Sequence, residues 1–253
     1  MIEEIIKIVK DAGQIILQAH NIESGIENKA GRANFVTKYD VEVQNYLYKR
    51  LSALLPGAYF IGEEDEKREA SDSEYCFIID PIDGTTNFIF DYKHSAISVA
   101  LLHNKKTIAG VVYNPYLKEL FSSEAGKGAY LNDLPLKVNN LSIRDGIVGF
   151  GTSPYYPEKE EETFTTIRKL FHQALDIRRT GSAALDICYV AANRFVLYYE
   201  SVLAPWDHAA ASLILQESGG IITTLAQTSL SYHDNCSVIA ATPTAYNEFF
   251  VPM

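Results

Sequence analysis

Cysteine is scarce: Cys76, Cys188 and Cys236 are the only three in 253 residues. They are odd in number, far apart and set in apolar or mixed surroundings, which argues against a disulfide frame and suggests buried thiols in a reducing compartment. HxxxH and CxxC patterns are missing, so the usual ligand spacing for zinc is not available. Basic side chains are few, with 22 Lys and Arg against 32 Asp and Glu, a formal net charge of −10. The average field repels nucleic acid and anionic lipid, and neither is expected as a partner. Long apolar runs are also lacking. The N-terminal stretch MIEEIIKIVKDAGQIILQAH carries Glu3, Glu4, Lys7, Lys10 and Asp11 among its apolar residues, which excludes a secretory signal and a membrane span, so the cytoplasm is the expected location. Low-complexity sequence is absent, and 47% hydrophobic with 21% charged residues is an ordinary globular balance. The chain is expected to fold throughout, as one unit or two closely packed halves.

What is present is a sequence of patterned elements. Ile2, Ile5, Ile6, Val9, Gly13, Ile16 and His20 recur at intervals of three and four, the spacing of one face of an amphipathic helix. A second helix is expected over about 40–55, with Thr37 as a possible cap and Pro56-Gly57 as its stop. The runs 58–61 and 75–79 are aromatic and β-branched, and read as buried strands. From Ala96 to Tyr130, SAISVALLH, TIAGVVYN, KELFSSE and GAYLN are separated by turn signals and read as an antiparallel meander. Beyond about Ile143 strands and helices alternate, ending in a helix from Trp206 to Ser218 and two strands, IITT and CSVIA. The layout predicts helices layered against two sheets, with a boundary near residue 145.

Acidic residues gather where these elements end. Asp80 stands at the carboxyl end of a strand, Pro81 is expected to break the ladder there, and Asp83 follows three residues later. Both carboxylates and the Ile82 carbonyl can converge on one cation, while Gly84-Thr85-Thr86 lets backbone N–H groups approach an anion. Alone, DxxDG reads equally well as a strand running into an acidic turn. Gly62-Glu63-Glu64 after another strand, Asp40 at a helix start and Asp207 after Trp206 weaken that reading. Oxygen-only ligands select a hard cation, Mg²⁺ first, and such a cluster beside a nest of N–H groups suits metal-assisted phosphoryl chemistry. In an acidic chain, a metal is also what would draw in an anionic substrate.

With these residues assembled, the sequence resembles the inositol monophosphatase family of lithium-sensitive, magnesium-dependent phosphomonoesterases, which shares its fold with fructose-1,6-bisphosphatase. The most specific segments are Gly62-Glu63-Glu64, Asp80-Pro-Ile-Asp-Gly-Thr-Thr-Asn87 and Pro205-Trp206-Asp207. Phe35-Val-Thr37 with Asp40, Gly126-Lys-Gly-Ala129, Arg179-Thr-Gly-Ser-Ala183 and Gly219-Gly220 support them. The resemblance implies an α+β fold, a layered α-β-α-β-α sandwich, with residues 1–145 carrying most metal ligands and residues 146–253 carrying Asp207 and the substrate contacts. It implies that Glu63, Asp80 and the Ile82 carbonyl bind one Mg²⁺, and that Asp80, Asp83 and Asp207 bind a second. Glu63 and Thr85 would orient the attacking water, and Asp40 would assist a third metal through water. The N–H groups of Gly84 and Thr85 would hold phosphate, and Gly181, Ser182, Ala183, Glu200 and Asp207 would meet the substrate. Lys29 aligns with a lysine on a loop that closes over the metals, though a lone lysine in such a Gly/Asn-rich segment reads first as a solvated loop charge. Trp206 reads as packing that fixes Asp207, and His208 receives no role.

The expected reaction is hydrolysis of a small phosphorylated polyol, foremost inositol 1-phosphate, by a homodimer. Glu200 favours a hydroxyl-rich alcohol over a second phosphate. The alternatives are fructose-1,6-bisphosphate, NADP or 3′-phosphoadenosine 5′-phosphate as substrate, or a regulatory binding protein of the transcription machinery. Two departures from the family pattern bear on substrate shape and dimer surface. Asn193-Arg194-Phe195-Val196 lacks the usual glycine and acid, and Ala211 stands where many relatives have glycine.

Overall fold

Residues 1–20, 22, 26–28, 35–65 and 73–251 are described by the computed structural model. Lys29 lies outside them. The described elements are α1 (Ile2–Leu17), β1 (Ile26–Asn28), β2 (Phe35–Thr37), α2 (Lys38–Leu54), β3 (Tyr59–Gly62), β4 (Tyr75–Asp83) and α3 (Thr85–Ile89). The meander follows as β5 (Ala96–His103), β6 (Lys106–Asn114), β7 (Glu119–Glu124), β8 (Ala129–Leu131) and β9 (Leu134–Leu136). The remainder is β10 (Ile147–Phe150), α4 (Glu160–Gln173), β11 (Asp176–Arg178), α5 (Ala183–Ala191), β12 (Leu197–Leu203), α6 (Pro205–Glu217), β13 (Ile221–Thr223), β14 (Cys236–Ala241) and α7 (Pro243–Phe250).

Period-two alternation builds the layers. On β4 and β5, Phe77, Ile79, Ile97, Val99 and Leu101 face α1 and α2, where Val9, Ile16, Val43, Leu47 and Leu51 meet them. Ile78, Ala96 and Ala100 face the opposite way, into a core shared with α5, α6 and one face of the second sheet through Tyr198, Val238 and Ala240. That sheet's other face, with Val148, Leu197, Tyr199 and Ile239, is covered by Leu170 of α4 and Ala245 of α7. The result is the layered α-β-α-β-α sandwich expected from the sequence. The seven-stranded sheet runs β3-β4-β5-β6-β7-β8-β9, and only its β3–β4 pair is parallel. The five-stranded sheet runs β11-β10-β12-β14-β13, with β10 parallel to both its neighbours.

One local expectation is corrected. Pro81 does not end β4: the register passes from Asp80 opposite Ser98 to Asp83 opposite Ala96 across a bulge, so the strand absorbs Pro81 and Ile82 and pairing resumes. Bulges tolerate proline because the skipped residue donates nothing to the ladder. Asp83 is thereby held by the sheet rather than by a loose turn. The three cysteines are free thiols, but of the burial expected for them only Cys188 has it in full, Cys76 and Cys236 being half-buried.

Helix α6 lies between the two sheets, and eight consecutive residues from His208 to Leu215 are buried. The run Ala209-Ala-Ala-Ser212 keeps its surface thin enough for backbone to approach backbone. A Cβ added to Gly110 of β6 would fall 2.6 Å from the Ala210 carbonyl oxygen. Gly110→Ala is therefore expected to destabilise the protein by about 1–3 kcal/mol through overpacking. Urea denaturation reads this, and an unchanged midpoint would refute the close contact.

Candidate active site

The cleft opens where β4, α3, β10, β12 and the N-termini of α5 and α6 converge, a cavity of about 370 Å³. Glu63, Asp80, Asp83, Asp186, Glu200 and Asp207 line it, and Arg179 is the only basic side chain among its described lining residues. One carboxylate oxygen from each of Asp80, Asp83 and Asp207 falls within 4.8 Å of the other two. Three carboxylates from β4 and α6 thus meet at one point, which the sequence distributes over more than a hundred residues.

Asp80, Asp83 and Asp207 are each held by hydrogen-bond donors. Asp80 Oδ1 accepts Ile82 N at 3.0 Å across the bulge. Asp83 accepts Ser182 Oγ at 2.5 Å, Ala184 N at 2.8 Å and Ala183 N at 3.3 Å, all from the start of α5. Ser182 and the Ala183 N–H are thus turned toward Asp83. Asp207, in the first turn of α6 behind Pro205, accepts Ala204 N at 2.7 Å. Ser98 Oγ donates to the Trp206 carbonyl at 3.2 Å, tying this turn to the large sheet. Glu63 follows β3, and its N–H donates to the Ile79 carbonyl at 3.1 Å.

Asp40 shows why local sequence matters. Thr37 caps α2, and both its N–H, at 2.8 Å, and its Oγ1, at 2.6 Å, donate to Asp40 Oδ2 in a capping box. The remaining oxygen accepts Thr85 Oγ1 at 3.2 Å, and Thr85 Oγ1 also lies 3.1 Å from the Ile82 carbonyl. Gly84 precedes α3 with φ +90°, and a Cβ there would lie 3.0 Å from the Gly181 carbonyl and 3.1 Å from that of His94. Only glycine satisfies both the left-handed backbone and the close approach. Asn87 Nδ2 donates to the His94 and Thr180 carbonyls at 2.7 and 2.9 Å, joining this turn to the 180–182 segment.

Burial and mutual repulsion set the protonation chemistry. Burial chiefly, and then Glu63, Asp83 and Asp207, push Asp80 well above the usual carboxylate range. Burial followed by the Asp83 and Glu63 charges does the same for Asp207. Asp83 is raised by burial to about 6 against the pull of its three donors, and Asp40 by burial to about 7. A cation among carboxylates this crowded would favour their ionised forms, and their hard oxygens fit a divalent one.

On the opposite wall Glu200 accepts Tyr198 Oη at 2.5 Å and Ser153 N at 2.8 Å, and Ser153 Oγ lies 3.4 Å away. Ser153 and Tyr198 were not singled out from the sequence, nor were Tyr155 and Tyr156, which also line the cleft. Their signal is only spatial. His208 is wholly buried and held neutral, its pKa pushed down to about 3 by burial, with Nε2 3.8 Å from Cys236 Sγ. It does not line the cleft.

Solved structures share this architecture, with two sheets between three helical layers. The extragenic suppressor protein suhB from Bartonella henselae superposes with TM-score 0.90 at 31% identity, covering 98% of this chain and 95% of its own. The inositol monophosphatase from Anabaena gives 0.85 at 27%, covering 98% and 92%. The model of the inositol monophosphatase family matches residues 1–252, and the chain belongs to that family. Among curated relatives, the Nus factor SuhB of Vibrio cholerae is 36% identical over 96% of this chain and 91% of the relative. The inositol-1-monophosphatase of Rhizobium meliloti is 35% identical over 87% and 82%. Family and relatives together support a phosphatase. Among the described residues no helix is long and apolar enough to cross a membrane.

Proposed function

We propose that this chain hydrolyses the phosphate monoester of a small polyol, foremost inositol 1-phosphate, to the free alcohol and phosphate in the presence of Mg²⁺. The observation that carries the reading is the Thr85–Asp40 hydrogen bond placed beside the Asp80, Asp83 and Asp207 cluster. Glu63, Asp80, Asp83, Asp207 and the Ile82 carbonyl would hold Mg²⁺, which supplies charge neutralisation for the phosphate and acidifies a water. Thr85 Oγ1 donates to Asp40, so its lone pairs are turned to accept from that water, and Glu63 takes the second hydrogen bond. Asp40 acts through Thr85, a more direct part than water-mediated support of a third metal. The N–H groups of Gly84 and Thr85 receive phosphate oxygens. Gly181 packs behind Gly84, while Ser182 and Ala183 serve the same wall through Asp83.

Glu200 has room for about four hydrogen bonds and uses most of that capacity on Tyr198 and Ser153. What remains suits one substrate hydroxyl, and a carboxylate there disfavours a second phosphate. This supports inositol 1-phosphate over fructose-1,6-bisphosphate, NADP and 3′-phosphoadenosine 5′-phosphate. Homodimer formation, cytoplasmic residence and a division near residue 145 belong to the same proposal.

The test is phosphate release from a panel of these esters with Mg²⁺, repeated after chelation. Turnover of inositol 1-phosphate above the others, lost on chelation, is the expected result. Silence across the panel would defeat the proposal. The second reading, a binding protein of the transcription machinery, draws on the relatives named Nus factor SuhB. It would gain if the panel were silent and the protein co-purified with polymerase factors.

A further inference from the structure

Asp40, Gln44 and Tyr48 follow one another at intervals of four on α2 and so share one helix face. Asp40, in the first turn, holds Thr85. One and two turns farther on, Gln44 and Tyr48 converge on Asp65, the residue two past Glu63. Gln44 Nε2 donates to Asp65 Oδ1 at 3.1 Å, and Tyr48 Oη donates to Asp65 Oδ2 at 2.6 Å. The same carboxylate accepts Gly62 N at 2.7 Å, and Gln44 Oε1 accepts Glu64 N at 3.1 Å. Both neighbours of Glu63 in the chain are therefore tied by their backbones to side chains of α2 and to Asp65, while Glu63 itself is tied to β4.

The packing leaves no slack in this net. A Cβ on Gly62 would lie 2.4 Å from both Gln44 Oε1 and Tyr48 Oη. The Tyr48 ring rests on Phe60 of β3 at 4.6 Å between centroids, so the hydroxyl is aimed by apolar contact. Asp65 lies outside the cleft lining, so substrate contact does not account for its three accepted bonds.

We infer that Gln44, Tyr48 and Asp65 are positioning residues for Glu63, and that α2 is a rigid spacer fixing Glu63 relative to Thr85. The parts given to Glu63 and Thr85 come from the proposed phosphatase function. The positioning net goes beyond it, to residues that touch neither metal nor substrate. A helix holds the axial distance from Asp40 to Tyr48 at about 12 Å, at 1.5 Å per residue. Any shift of α2 therefore moves the two groups proposed to hold the water together rather than apart.

Asp65→Asn sets an N–H₂ donor against donors that a carboxylate accepted, and Tyr48→Phe removes one hydroxyl while keeping the ring. Both variants, in the full chain, are measured for Mg²⁺ affinity by titration calorimetry and for kcat and KM on inositol 1-phosphate. Loss of an orienting partner typically costs 10–100-fold in metal affinity or activity. Asp65→Asn is expected to weaken Mg²⁺ binding and lower kcat by about 10–100-fold with KM little changed. Tyr48→Phe should move both in the same direction by less, and the double variant should fall no further than Asp65→Asn alone. If Asp65→Asn fails to fold, Tyr48→Phe carries the test. Wild-type Mg²⁺ affinity and kcat in the folded variants would overturn the inference. If the wild type binds Mg²⁺ but hydrolyses no ester, the phosphatase reading falls and the Mg²⁺ titrations still decide this one. A wild type without Mg²⁺ affinity overturns both.

Discussion

Asp83→Asn is expected to lower Mg²⁺-dependent phosphate release by at least about 10²–10³-fold, the loss typical when one preorganised electrostatic group is removed. Stability should move far less, because two effects oppose each other. The amide can accept from Ser182, Ala183 or Ala184 through one oxygen only, and its N–H₂ then faces a donor, at a cost of about 1–3 kcal/mol. Against this, the buried charge disappears. With a pKa raised from 3.8 to about 6, that charge costs on the order of 2–3 kcal/mol at neutral pH. The terms nearly cancel, so the metal-free variant should melt within a few degrees of wild type while its activity collapses. Retention of more than about a tenth of wild-type turnover would remove Asp83 from the proposed site.

Thermal melts with and without Mg²⁺ should show a metal-induced shift that grows with pH. Asp40 and Asp83 are raised by burial to about 7 and about 6, and Asp80 and Asp207 move in the same direction. A carboxyl whose folded pKa lies above its unfolded value of 3.8 binds more protons folded than unfolded between the two. Its contribution is thus favourable at low pH and is lost as pH rises from about 4 through 7. A divalent cation supplies the missing counter-charge, and must compete with protons to do so. At about 100 times its dissociation constant it stabilises by roughly 2.7 kcal/mol, or about 5–10 °C for a chain of this length. That shift is expected near pH 8 and should shrink to a degree or two near pH 5. A shift equal at both, or larger in acid, would mean that the ion binds away from these carboxylates.

Much of this site was legible because its parts are local. The strand running into DPIDGTTN, the Thr37 cap with Asp40 three residues on, and Pro205-Trp206-Asp207 at a helix start are short-range patterns set by backbone rules. The layers were legible because α1 and the strands alternate at their own periods. What escaped the sequence reading depends on distant partners. No local rule says that Asp83 is received by the start of α5, that Glu200 grips Ser153, or that Asp65 is answered from α2. The bulge at Pro81 looks like a strand end in sequence because proline forbids a ladder bond locally, whereas Ala96 and Ser98 restore the pairing on either side. Helix α7 carried a readable signal in Thr242-Pro243, with Thr242 Oγ1 accepting Ala245 N at 3.1 Å, but its eight residues gave too short a period to stand out.

The reception of Asp83 by α5 bears on how the chain assembles. Its three donors lie 99 to 101 residues downstream, so a nascent chain that has already paired β4 with β5 still presents Asp80 and Asp83 without them. Closing so long a loop is entropically slow, and until α5 and then α6 arrive Asp83 lacks its donors and both acids lack Asp207 as a third partner, while Asp80 already accepts Ile82 N within β4. The cleft is therefore expected to form after the β4–β5 pairing and to open before it on partial unfolding, an order that amide hydrogen exchange reads. Loss of the carboxylate cluster should precede loss of the large sheet.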